Sequence, residues 1–188
     1  MEVGMINIIR RKKLAHDFLK LTFLIPALFY GCTNMSTQDT LLKNIDYIAK
    51  TLSTELVSEL EHVEAFLGEK LEPNGTGPFS FWHAEDIELG EVQIENVDYR
   101  RPNPEQGATS GALLILDVDV EAHCIGRTKI LETLPDIVLT DIPRGRSLDE
   151  EAYWTRETDE FKLSFGFAER NPDCLKSIIY NVKNPPAS

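Results

Sequence analysis

From Asp39 onward the apolar residues fall three or four apart: Leu41, Ile45, Ile48, Leu52, Leu56, Leu60, Val63 and Leu67. This spacing draws one stripe along a helix, and Gly68 supplies the stop. The other side carries Lys43, Asp46, Lys50, Glu55, Glu59 and Glu61. The pattern predicts one long amphipathic helix over 39–67. A helix lying on a membrane surface would be basic on its polar side. This acidic one suits a helix laid on a sheet.

The loop "EPNGTGP" at 72–78 ends the helical period. A short strand is expected over 79–83. Ile87, Leu89, Val92, Ile94, Val97 and Tyr99 then alternate, with slips near Gly90 and Asn96 that predict a turn or bulges. After a turn-rich loop at 100–111, Leu114, Leu116, Val118, Val120, Ala122 and Cys124 share one parity, and Asp117, Asp119, Glu121 and His123 the other. That predicts a strand with one wet face and with Cys124 on its buried side. Further strands are expected over 137–142, 161–167 and 177–182, and "NPPAS" is a frayed end. Strands in runs after one helix imply α+β: one long N-terminal amphipathic helix packed on a curved antiparallel sheet. In outline this resembles cystatin-like folds, an analogy that implies nothing about activity.

The first 38 residues follow neither period. Arg10, Arg11, Lys12 and Lys13 form a positive block, and an apolar run from Leu21 to Gly31 follows. Eleven helical residues rise about 16 Å, against the roughly 30 Å of a bilayer core. The run is too short to span and has the length of a signal-peptide core. A buried core helix is disfavoured by the flanking charges and by Pro26. Phe29-Tyr30-Gly31-Cys32 resembles the lipobox of bacterial lipoproteins in Gly31 and Cys32, while Phe29 and Tyr30 depart from it. The resemblance covers the first 33 residues only. It implies that residues 1–31 are removed, that Cys32 carries lipid, and that 32–38 is a short tether before a single domain at 39–188. Ordinary cleavage without lipid is the other reading. Thr33, in place of the Asp that often retains lipoproteins at the inner membrane, implies an outer-membrane protein facing the periplasm. A soluble periplasmic or secreted protein is the alternative.

If lipid takes Cys32, Cys124 and Cys174 remain as an even pair that an oxidising compartment can join. Such a bridge closes a loop of about 50 residues, worth up to about 4 kcal/mol in the chain-entropy model. Two separate buried thiols are the other reading.

Composition narrows the functional classes. The chain has 188 residues, 42% hydrophobic, enough for one real core. Net charge is −12, and the first 32 residues hold five basic and two acidic side chains, which leaves −15 on residues 33–188. Such a surface repels phosphate, so nucleic acid is not an expected partner. A basic protein suits it better.

Catalytic signatures are weak. Ser110 sits in "GATSGA" without the glycine two residues earlier that a nucleophile elbow needs. His62, His83 and His123 have no recognisable spacing. His83, Glu85 and Asp86 form one metal candidate, and the row Asp117, Asp119, Glu121 and His123 another. Side chains two apart on a strand stand nearly 7 Å apart, too far for one zinc, and no EF-hand loop is present. No metal or cofactor is expected. With 29 acids after position 32, a glycosidase-like carboxylate pair could arise by chance.

The segment 144–161, "RGRSLDEEAYWTRETDEF", places Tyr153 and Trp154 between acidic runs. Buried aromatics with steering carboxylates suit recognition of a basic partner. Glu150, Glu151, Tyr153, Trp154 and Glu157 are the candidate contacts. The alternative is a linker whose Trp154 packs on the core. The expectation is a membrane-tethered binding protein without enzymatic activity, acting as an inhibitor or immunity-type protein against a basic partner. A structural envelope lipoprotein and a cell-envelope hydrolase are the alternatives.

Overall fold

The computed structural model describes residues 37–75, 77–103, 105 and 111–183. The expectations for the signal peptide, for Cys32 and for Ser110 fall outside these residues. The described chain is α+β: eight antiparallel strands in one sheet, with few helices.

Helix α1 spans Thr37–Thr51, α2 Thr54–Ser58 and α3 Leu60–Leu67. The continuous helix predicted over 39–67 is therefore broken twice. The first break follows from Ser53, which is extended (φ −141°, ψ 162°) and accepts a hydrogen bond from the Leu56 amide at 3.2 Å. A hydroxyl that caps a new helix competes with continuation of the old one. The second break is Glu59, also extended (φ −123°, ψ 131°). The breaks shift the phase of the apolar stripe. Leu41, Ile45, Ile48 and Leu52 are buried as expected, but Val57 is buried where Leu56 and Leu60 are only partly so. Gly68 ends α3 in the left-handed conformation, φ 72°.

The strands are β1 (Glu72–Pro73), β2 (Phe79–Leu89), β3 (Val92–Pro102), β4 (Leu113–Val118), β5 (Val138–Asp141), β6 (Glu151–Glu157), β7 (Phe161–Ala168) and β8 (Ser177–Val182). Both predicted slips have a structural cause: the chain turns at Gly90, with φ 67°, and β3 carries a register shift between Ile94 and Asn96. A short helix α4, Arg127–Thr133, was not anticipated. Ile130 and Leu134 bury its inner side, and Pro135 follows directly.

Two expectations are corrected. The strand predicted through Cys124 stops at Val118, because Asp119 Oδ1 accepts the amides of Glu121 (2.8 Å) and Ala122 (3.0 Å) and turns the chain. Cys124 consequently lies exposed rather than on a buried strand face. The stretch 151–157, read as part of a loop or linker, is strand β6, bonded on both sides.

Spatial order is β1-β2-β3-β4-β8-β7-β6-β5. Two meanders thus meet at the β4–β8 seam, where Leu116 pairs with Ile178 and Leu114 with Tyr180. One face is apolar: Val97, Tyr99, Leu116, Ile178, Leu163 and Phe165 share a single core with the helices. The Tyr99 hydroxyl reaches the Val57 carbonyl at 2.9 Å, tying α2 to the sheet. The disulfide Cys124–Cys174 forms, with Cα atoms 4.9 Å apart, and links the chain after β4 to the chain before β8. It clasps one end of the seam, beside the Gly126–Cys174 bridge.

Candidate functional site: an acidic cleft at the clasped end of the sheet

The face opposite the core carries the polar parity of the central strands. Near the clasp it forms a cleft of about 830 Å³. Asp86 of β2, Glu95 of β3 and Asp117 of β4 line one side, and the turn after β4 adds Asp119 and Glu121. Asp149 and Glu151 approach from the β6 side, with Arg170, Cys174 and Lys176 from the β7–β8 connection. Seven carboxylates face two cations. Both cations are already paired within the chain, Lys176 with Glu95 at 2.8 Å and Arg170 with Asp149 at 2.7 Å. Negative charge is left in surplus.

Glu151 is the half-buried member. Ser177, itself buried, donates its hydroxyl to Glu151 Oε2 at 2.5 Å. Burial pushes the Glu151 carboxyl above its usual range; the Ser177 bond opposes this, and the nearby Asp117 charge adds to it. Tyr153, two residues on and on the same face, is pushed up to about 12 by burial and by the Glu151 charge. Lys176 is held above its ordinary value: burial pulls it down, but the carboxylates of Glu95, Asp117 and Glu151 outweigh that. Gly166, on neighbouring β7, makes the room, since a Cβ there would overlap both Glu151 Oε2 and Ser177 Oγ.

Backbone irregularity helps aim the acids. Asp86 has φ 55°, the one non-glycine residue at positive φ among those described. It falls between the ladder pairs Glu85–Asn96 and Ile87–Ile94, and Glu95 lies at the β3 register shift. Asp and Asn tolerate this conformation better than other side chains.

The predicted contact set is divided by the strand period. Glu151 and Tyr153 stand together in and beside the cleft. Trp154 points to the other face, where its ring meets Phe167 edge-on at 5.2 Å and the Arg127 guanidinium lies 5.4 Å from its centre. Adjacent residues on a strand cannot form one aromatic patch. Glu150 caps a turn, its carboxylate accepting the Arg144 amide at 2.5 Å. Glu157 shares the face of Glu151 but sits at the far end of β6, paired with Lys183 at 2.7 Å. Nothing in the sequence pattern groups Asp86, Glu95, Asp149, Arg170 and Lys176. They come from separate elements, and only the strand order makes them neighbours.

Among the described residues no three His, Cys, Asp or Glu side chains converge as a metal centre requires. Among the described residues that line the cleft there is no imidazole. What the arrangement can do is hold positive charge. Comparison with family models, with curated proteins and with solved structures returned no match, so the reading of this cleft rests on its own geometry.

Proposed function

We propose that the protein is an envelope-tethered binding protein that captures a basic protein partner in an inhibitor or immunity-type role, and that the acidic cleft receives the partner's cationic side chains. The observation that carries this reading is the surplus of carboxylates in one concave site whose two cations are already paired. Focused negative potential raises association rates with cationic partners more than it raises affinity. Lipid attachment at Cys32 and an outer-membrane, periplasm-facing location belong to the same proposal and are supported by the lipobox resemblance and by a disulfide that suits an oxidising compartment. The likeness to cystatin-like folds is also part of it, supported by helices and sheet sharing one core.

Two measurements test the proposal separately. Intact mass of the protein from its native membrane fraction should begin at Cys32 with acyl groups added; an unlipidated species removes the anchor. Binding of an octalysine peptide should weaken at least tenfold between low and physiological salt, as a multi-contact electrostatic site requires. Salt-independent binding overturns the cleft reading and leaves the anchor untouched.

A further inference from the structure

The two cations of the cleft are paired, but not alike. Arg170 and Asp149 meet at the rim, with side chains 59% and 69% exposed. Lys176 is more enclosed, at 28%, and its partner Glu95 opens to solvent at 60%. The root of Lys176 is fixed. Its amide donates to the Gly166 carbonyl at 2.8 Å, and its carbonyl accepts the Val118 amide at 2.7 Å. β7 and β4 thus hold its main chain from both sides, and only the flexible four-carbon stem is left to swing.

The ammonium at the end of that stem has three donors. Among the described residues it makes one hydrogen bond, to Glu95. Asp117 and Glu151 act on it through their charge. Each of them is bonded to a neutral group instead: Asp117 accepts from the Asn96 side-chain amide at 3.2 Å, and Glu151 from the Ser177 hydroxyl. An ion pair with one partner in water is held weakly. Lys176 is therefore a primary ammonium on a movable arm, resting by one bond among carboxylates that attract a primary ammonium from outside equally well. We propose, resting on the cleft reading above, that Lys176 is an internal competitor: its ammonium holds a place that a partner's lysine takes, and capture displaces it from Glu95. While Lys176 occupies that place, part of the population is closed to ligand, and apparent affinity falls by that fraction. A single cation then gains little by exchanging with it. A run of lysines, engaging several carboxylates at once, prevails.

Titration of folded variants with octalysine tests this, thermal midpoints confirming the fold. Lys176→Met should bind about tenfold more tightly than wild type. Lys129→Met makes the same change of net charge on α4, outside the cleft lining, and should stay within about twofold. Lys176→Arg keeps a cation in place and should stay within about threefold of wild type. The wild type carries a readout of its own: with isotope-labelled protein and unlabelled peptide, the Lys176 side-chain NMR signals should move on saturation. Equal tightening in the two methionine variants, or none at Lys176, overturns the inference and leaves the cleft reading standing. So does a Lys176 signal that saturating peptide does not move. If no protein binds the peptide, Lys176→Met included, the cleft reading falls and the competitor with it.

Discussion

The carboxylate of Glu151 on β6 occupies the space that a side chain at Gly166 on β7 would need. The glycine is thus part of the cleft, although it contributes no group to it. Gly166→Ala should force Glu151 and Ser177 apart and destabilise the fold by about 1–3 kcal/mol, the usual cost of overpacking. Urea denaturation of the two proteins measures this. A variant as stable as wild type would mean that Glu151 moves aside freely and is not held at the cleft floor.

Glu151 should also leave a mark on the pH dependence of stability. Its folded-state carboxyl is raised, so between the ordinary carboxylate range and that raised value the folded chain holds a proton the unfolded chain lacks. The stability it contributes is present at the acid end and is lost as pH rises through that window. Glutamine keeps the neutral shape without the titration. The gain of Glu151→Gln over wild type should therefore grow as pH rises from about 4 to 7. Asp117, Lys176, Ser177 and Tyr153, which face this carboxyl, are present in both proteins. A difference that is flat with pH, or that shrinks, contradicts the assignment.

Trp154 separates packing from recognition. It contacts Phe167 and Arg127 on the core side of the sheet. Trp154→Ala should cost about 2–4 kcal/mol of stability. The folded fraction should bind octalysine as wild type does, because the cleft lies on the other face. Loss of binding at unchanged stability would restore the tryptophan to the contact set.

Asp86 ties conformation to charge. Its φ of 55° is a conformation that favours glycine. Asp86→Gly should raise stability by up to about 1 kcal/mol, the relief of strain being partly offset by backbone entropy. It should also weaken capture of the cationic peptide. A net loss of stability would show that the Asp86 side chain makes contacts worth more than the strain it imposes.

These relationships also show what the sequence could carry. Alternation marks β3 and β7, and the slips at Gly90 and Asn96 are visible because a turn or bulge breaks parity at one residue. The helix breaks were harder to see, since Ser53 and Glu59 interrupt the backbone without interrupting the apolar spacing. β6 was obscured by its acids, although Ala152, Trp154 and Arg156 alternate against Glu151, Tyr153 and Thr155. The row at Asp117, Asp119 and Glu121 reads in the sequence as a strand face; the Asx turn at Asp119 is what bends it around the cleft. The cleft itself was out of reach, because it depends on β8 crossing to lie beside β4, a long-range pairing that no local pattern encodes.

The central claim concerns where the negative charge acts, and one comparison tests it most directly. Two variants with the same net charge would be titrated with octalysine: Glu95→Lys with Glu121→Lys in the cleft, and Glu61→Lys with Glu69→Lys on or just after α3. All four side chains are exposed, so folding should survive both changes. The account predicts that the cleft pair weakens binding about tenfold or more while the helix pair stays within about twofold of wild type. Equal losses in the two variants would mean that bulk acidity alone attracts the peptide, and that the cleft is not the site.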